Sequence, residues 1–388
     1  MEVQEVNSQK LVKAFLHLPV RLYRKEKNWI RPLDKDIEYV FDKSRNKYFR
    51  HGEAIRWILV DNGVTIGRIA AFYNKKTSKR EQQPTGSVGF FECVKNQKAA
   101  GLLFDTAKQW LMEKGFEAMD GPVNFGDRNE WWGLLVEGFY EPNYAMPYNF
   151  AYYKRLFEKY GFRPYFKQFT YAVSTNKPNL HPDIIEKAKR VKTDKAYHFE
   201  HVDKKKLYKY ADDFKTIYNK AWAKFQGVSK MSESQASAIL KRIKPVMDER
   251  VMWFGYYGKK PICMFIMIPE MNQMFKYLNG KFHLWAKIKL LLLKNFHPPK
   301  KLLGLIFGIV PEFQGKGVDG ALINAFAEFS RHSNMKYEEL EMNWIGDFNP
   351  QMIRVVEKVG GKVKKVHITY RYLFDRSKPF SRAPLLDT

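Results

Sequence analysis

Between Leu302 and Phe326 the chain dictates its own local structure. A run of apolar β-formers, Leu302 to Val310, reaches Pro311 and then the turn Gln314-Gly315-Lys316-Gly317-Val318-Asp319-Gly320, after which Ala321-Leu322-Ile323-Asn324-Ala325-Phe326 carries a helical pattern. That order predicts a strand, a glycine-rich loop and a helix. Glycines let backbone N–H groups turn toward an anion, and the positive end of the following helix adds to the field, so the loop suits a phosphate or pyrophosphate.

Two kinds of nucleotide site share these residues. Gly315, Gly317 and Gly320 spell G-x-G-x-x-G, with Glu341 at the end of the next apolar run, as in a dinucleotide fingerprint. In that fold, however, the glycines come directly off the first strand of a long βαβαβ domain. Here Pro311 to Gln314 intervene, and too little chain follows Glu341. The whole pattern is V-P-x-x-Q-G-K-G-x-x-x-A-L, an expected strand from Glu338 to Trp344, and a helix opened by Asn349 and ending Glu357-Lys358-Val359-Gly360-Gly361. It resembles the coenzyme A site of the GNAT superfamily of acyltransferases. The resemblance implies that Val310, Gln314, Gly315, Lys316, Gly317, Val318, Asp319 and Gly320, with Asn349 and Arg354, hold acyl-CoA or coenzyme A. Two positions depart from the superfamily pattern. Asp319 sets a carboxylate where Gly or Ala is usual, so its side chain must point away from the pyrophosphate. Val356 stands where many acetyltransferases carry a Tyr as general acid, which implies a different proton donor or none.

The chain of 388 residues exceeds one average domain, and 45% apolar with 16% aromatic residues suffices for two cores. Only Cys93 and Cys263 occur and the nine His are scattered, so neither a disulfide framework nor a metal site is expected, and a reducing compartment fits. Met1 to Lys10 lacks the pattern of a signal peptide, and no apolar run approaches the roughly twenty residues of a membrane span. A cytoplasmic protein is expected. G-x-S-x-G, H-E-x-x-H and G-K-[ST] are all missing, which removes the common hydrolase, metalloprotease and P-loop readings.

Sixty-seven Lys and Arg against 41 Asp and Glu give +26, a field that attracts nucleic acid, anionic lipid or polyanionic cofactors. The excess has a focus. No acidic residue falls between Met271 and Pro311, and within that stretch Lys281 to Phe296 reads as a helix in which Leu284, Trp285, Ile288, Leu291, Leu292 and Phe296 share one face while Lys287 and Lys294 lie off it. Such a helix suits a membrane interface with its lysines toward anionic headgroups, or else a core helix with solvated lysines.

The order of expected elements occurs twice. Each half has hairpin strands, an apolar strand, a helix, a strand, a helix ending Glu-Lys-x-Gly (Glu158 to Gly161; Glu357 to Gly360) and a final strand. The fold expected is α/β, a tandem pair of GNAT-like domains, each a mixed, mostly antiparallel sheet flanked by helices. The first spans 1–180 and is degenerate; the second spans 195–388, with the coenzyme A loop and a basic amphipathic insertion at 271–300. In the first half the loop position reads Val94-Lys95-Asn96-Gln97-Lys98-Ala99-Ala100-Gly101, with one glycine, so no coenzyme A is expected there. Its aromatic segment from Gly121 to Tyr153, with Trp131, Trp132 and Tyr148, is the expected wall of an acceptor pocket; ordinary packing is the plainer account.

Further passages narrow the resemblance. Leu18-Pro19 with Leu22-Tyr23, Asn28-Trp29-Ile30, Gly89-Phe90-Phe91-Glu92, Gly121-Pro122-Val123-Asn124, Gly133 to Phe139, Met146 to Asn149, Asn219 to Trp222, Leu278-Asn279-Gly280 and Asn343-Trp344 are similar to a bacterial family of two-domain GNAT-like proteins that includes the bacterial ceramide synthases. That resemblance implies N-acylation of a sphingoid base or similar lipid amine by acyl-CoA, with Trp131, Tyr148, Trp222, Trp285, Ile288, Leu292, Lys287 and Lys294 toward the acceptor or an anionic membrane. The basic amphipathic insertion, read on its own residues, is the ground for an expected peripheral contact with the inner face of the cytoplasmic membrane. Acyl transfer needs a proton acceptor for the amine, and Asp347, Glu341 and Glu312 are the candidates, although Asp347 also suits a helix cap and Glu341 a solvated strand position. Two alternatives stay open: an acetyltransferase for a small amine, and a nucleic-acid or tRNA-binding protein on the same scaffold.

Overall fold

A computed structural model of the chain describes residues 1–78, 83–175, 179–222 and 230–386. The first half runs β1 (Glu2–Glu5), α1 (Gln9–Leu22), α2 (Asp34–Phe41), β2 (Gly52–Asp61), β3 (Val64–Asn74), α3 (Lys75–Ser78), β4 (Thr85–Cys93), α4 (Gln97–Glu113), β5 (Ala118–Gly121), β6 (Leu134–Glu137), α5 (Tyr152–Tyr160) and β7 (Arg163–Ser174). The second runs α6 (Pro182–Thr193), β8 (Tyr197–His201), α7 (Leu207–Ala221), α8 (Glu233–Ile243), β9 (Met252–Tyr257), β10 (Lys260–Pro269), α9 (Asn272–Phe275), α10 (Leu284–Phe296), β11 (Lys301–Ile309), α11 (Val318–His332), β12 (Glu339–Gly346), α12 (Pro350–Lys358) and β13 (Lys362–Leu373).

Local chemistry accounts for most boundaries. The β2–β3 hairpin turns on Asn62 and Gly63, both at positive φ (47° and 77°), the backbone an Asn-Gly turn favours. Asn96 caps α4 by accepting from the Ala99 N–H at 3.1 Å. Two expected helices are shorter than the sequence suggested. The sequence pattern predicts one over Glu233 to Arg250, but it stops at Ile243: Lys244 keeps helical angles (φ −48°, ψ −42°) and bonds to Leu240 O, and Pro245 next to it has no N–H with which to continue the ladder. The one expected from Lys204 to Lys224 begins as a 3-10 turn and is regular from Leu207; residues 223 and 224 lie outside the described residues.

One sheet unites the halves in the order β1-β2-β3-β4-β5-β13-β7-β12-β11-β10-β9-β8, with β6 also on β13. The two halves exchange their last strands. β7 pairs antiparallel with β12, and β13 pairs antiparallel with β5 and β6, while β7 and β13 pair with each other over Arg163–Ala172 and Lys362–Arg371. The order is therefore the same read from either edge toward the β13–β7 centre. Each half has its own apolar core, one around Phe91, Leu103, Phe104 and Phe157, the other around Phe214, Phe254, Met264, Leu322 and Phe326. No helix among the described residues is long and apolar enough to cross a membrane.

Candidate active site and its anion-binding loop

In the second half β11 and β12 run parallel but pair only from Lys301 to Gly304, opposite Glu339 to Met342. Beyond that they part. The β10–β11 register steps from Ile306 to Gly304 and leaves Leu305 as a bulge, which bends β11 at the point of divergence. A cleft thus opens between Leu305–Ile309 and Asn343–Gly346. Trp222 leans over it from the end of α7, so close to Gly308 that any side chain there would meet its ring.

The loop expected to bind phosphate closes the same end of β11. Gly315 and Gly317 take φ of 73° and 83°, and Gly317 caps α11. Among the described residues no main-chain carbonyl accepts from the N–H groups of residues 315 to 320, which leaves a nest of donors at a helix N-terminus. Gln314 Nε2 donates to Ile309 O at 3.1 Å and ties the loop to the strand, and Val310 is buried and bonded to Ile262 O at 2.9 Å. Lys316 is exposed; Lys187 of α6 packs its stem where a Cβ on Gly317 would go, 2.8 Å away. Phosphates of coenzyme A fit such a donor set. Of the other residues expected to hold the cofactor, Asn349 caps α12 by accepting from Met352 N–H at 3.1 Å, and Arg354 is exposed on α12.

The corresponding parting in the first half, between β4 and β5, is filled by its own side chains. Tyr23 stacks between Trp29 (5.1 Å) and Phe150 (4.4 Å), and Phe150 on Tyr152 (5.2 Å). Tyr153 Oη accepts from Cys93 N–H at 2.9 Å, and Tyr152 donates to Cys93 O at 2.7 Å. Asn149 completes the set, accepting from Leu135 N–H at 2.8 Å and donating to Leu135 O at 2.9 Å. Main-chain groups that a ligand could engage are thereby taken. Buried Glu92 accepts from Tyr23 and Tyr153 (2.7 and 2.8 Å), with Arg68 3.5 Å away. Tyr148 sits edge-on to Tyr23, and Trp131 lies beside Phe90 in a separate apolar cluster with Phe15 and Ile37.

The wall of the second-half cleft uses other first-half residues. Trp344 Nε1–H donates to Arg128 O (2.9 Å), and Asn143 donates to Glu341 Oε2 (2.7 Å) and to Asn343 Oδ1 (3.1 Å). Asn272 donates to Pro142 O (2.9 Å), and buried Glu270 accepts from the Tyr144 N–H (2.7 Å).

Of the three expected proton acceptors, Glu341 and Asp347 have both carboxylate oxygens partnered. Glu341 is fully buried, not solvated, with Lys301 and Lys364 on Oε1 (2.6 and 3.0 Å) and Lys365 on Oε2 (2.7 Å). Burial would raise its pKa, but Lys365, Lys301 and Lys364 outweigh that and hold it well below the usual carboxylate range, so it is a poor base. Asp347 pairs with Arg382 and accepts from Lys167 N–H at 3.1 Å. Glu312 is exposed near Lys260, 4.0 Å away. The lysines, Asn143 and Asn343 had weak sequence signals: Lys365 only breaks an apolar strand, and Asn143 sits in a loop.

No family profile matches the chain. It is 25% identical over 374 residues to the bacterial ceramide synthase of Caulobacter vibrioides, covering 95% of this chain and 97% of that one, and 22% identical over 362 residues to Protein YghO of Escherichia coli, covering 92% of each. Among solved structures it is similar to a tandem GNAT protein from the clavulanic acid biosynthesis pathway, with TM-score 0.55, 9% identity, and 97% and 99% of the two chains covered. It is also similar to the GCN5-related glucosamine N-acetyltransferase region of a fungal multi-domain β-N-acetylglucosaminidase, with TM-score 0.54, 10% identity, and 96% and 38% covered. The fold is thus a tandem pair of GNAT-like domains, and along nearly its whole length the sequence is similar to the bacterial ceramide synthase of Caulobacter vibrioides.

Proposed function

We propose that the protein is an acyl-CoA-dependent N-acyltransferase whose donor site is the second-half cleft and whose acceptor is the amine of a lipid precursor such as a sphingoid base. The observation that carries this reading is the set of unpartnered N–H groups at residues 315–320 beside the parting of β11 and β12. The loop takes the phosphates, and the pantetheine arm follows the free edge of β11. The amine nitrogen attacks the thioester carbonyl, the C–S bond breaks, and the coenzyme A thiolate leaves with the proton the ammonium gives up. Positioning and main-chain donors supply the catalysis, since Asp347 and Glu341 are engaged elsewhere and Glu312 is exposed beside Lys260. The similarity to a bacterial ceramide synthase and the apolar face of α10 support the lipid acceptor.

Affinity for acyl-CoAs from acetyl to palmitoyl, at two salt concentrations and with Gly317→Glu as control, tests it. A Glu at residue 317 meets Lys187 and puts an anion among the donors, so binding should fall at least about tenfold. Tightening with chain length, at roughly 0.8 kcal/mol per buried CH₂, should survive salt. Flat chain-length dependence would favour an acetyltransferase for a small amine, and no binding would end the coenzyme A reading. N-acyl product from a sphingoid base is then the direct assay.

A further inference from the structure

Helix α10 is apolar on two sides. Ala286, Leu290 and Leu293 turn inward against Met271, Met274, Phe275, Leu278 and Leu33. On the other side Leu284, Trp285, Ile288, Leu291, Leu292 and Phe296 stand exposed, at 69, 73, 40, 67, 55 and 74% of their full accessibility. At about 100° per residue these six fall within an arc of roughly 140° opposite the docked side, with Asn295 the one polar residue inside it. Lys287 and Lys294 border the arc on one side and Lys289 on the other, all exposed. A helix docked on one side keeps its other side polar if water is the only neighbour; a contiguous patch of this size marks a surface with a partner.

We infer that the outer face of α10 is a docking surface for a bilayer containing anionic lipid, with the six apolar side chains at the level of the acyl boundary and the lysines at the headgroups. Charge selects this occupant. From Met271 to Pro311 there is no carboxylate to repel anionic lipid. A second copy of the helix would bring lysine borders against lysine borders, which like charge opposes. The placement also serves the acyl-transfer reading, on which this clause rests. Tyr144 packs edge-on to Phe275 under α10, 5.2 Å between ring centres, and its neighbour Asn143 reaches Glu341 and Asn343 in the cleft wall. The docked side of α10 is thus joined through packed side chains to the wall of the cleft that would receive a lipid amine.

Flotation of the full-length protein with vesicles of phosphatidylcholine, alone or with added phosphatidylglycerol, tests the inference. The wild type should float with the anionic vesicles. Trp285→Ser with Leu292→Ser should lower partition at least about tenfold at low and at high salt. Lys287→Glu with Lys294→Glu should remove the preference for phosphatidylglycerol. All these side chains are exposed, so the variants should keep wild-type melting and short-chain acyl-CoA affinity. No partition of the wild type, or equal partition of the serine pair, overturns the inference. So does a concentration-dependent dimer that the serine pair abolishes, since the occupant is then a second copy. Intact acyl-CoA binding without flotation sinks the docking surface alone, whereas flotation without acyl-CoA binding upholds the surface and sinks the acyl-transfer reading.

Discussion

Single residues decide how the cleft can work. If no carboxylate takes the proton, kcat/KM should climb about tenfold per pH unit up to the pKa of the acceptor amine, and Asp347→Asn should cost less than about tenfold, well short of the 10²–10⁴ of a lost general base. A steep loss with a rate plateau near neutrality would restore Asp347 to that role. Glu341 should matter for stability: Glu341→Gln strips Lys301, Lys364 and Lys365 of their buried counter-charge and should cost about 3–5 kcal/mol in urea unfolding. Its depressed folded pKa gives stability that is present above the ordinary carboxylate value and declines as pH falls below it. His367 acts in a higher window. Burial, helped by Lys365, pushes it down to about 4, so below about 6.5 the unfolded chain binds the proton first and stability falls with pH, by up to about 1.4 kcal/mol per unit. Unfolding of His367→Gln at pH 7.5, 5.5 and 4.5 should show a flatter decline than wild type; parallel curves would mean that His367 is charged or accessible in the fold.

At the scale of elements, two partings of strands occur and only one is open. Isothermal titration should therefore find one acyl-CoA per chain, weakened at least about tenfold by Gly317→Glu; a second site that the substitution leaves untouched would mean that the stack of Trp29, Tyr23, Phe150 and Tyr152 gives way. What could be read beforehand divides along the same line. The strand, loop and helix from Leu302 to Phe326 and the Asn62-Gly63 hairpin were legible because local rules fix them. Closure of the first-half parting was not, because Tyr23, Asn149 and Tyr153 come from distant segments and act on main-chain groups that a sequence does not reveal. Strand β6 was missed for a related reason: Leu134–Glu137 is short, and its pairing on β13 decides its state. Lys365, Thr369 and Arg371 alternate with Val366, Ile368 and Tyr370 and are paired with Glu341, Gln168 and Asp120; that burial was not legible, because alternation alone reads as a solvated strand face until the distant partners are known.

For the whole molecule, the repeat of elements announced two similar halves but not that they trade strands. β5 has β13 as its neighbour, and β12 has β7. Residues 1–180 and 195–388 expressed separately should each lack a central strand and be insoluble or unfolded, while co-expression should recover a soluble pair; two stable fragments with native-like circular dichroism would contradict the exchange. For residues 1–180 the loss is of β13, whose residues Lys365 to Arg371 are buried on both faces. The same exchange ties the first half to the time course of translation. While the ribosome works from β6 to α12, β5 waits with an open edge, because the strand that covers it, Lys362–Leu373, follows all of those elements in the chain. The first half is made first but completed only when β13 emerges, so the nascent chain must shelter that edge throughout, and its yield in the cell should depend on chaperones more than its final stability suggests.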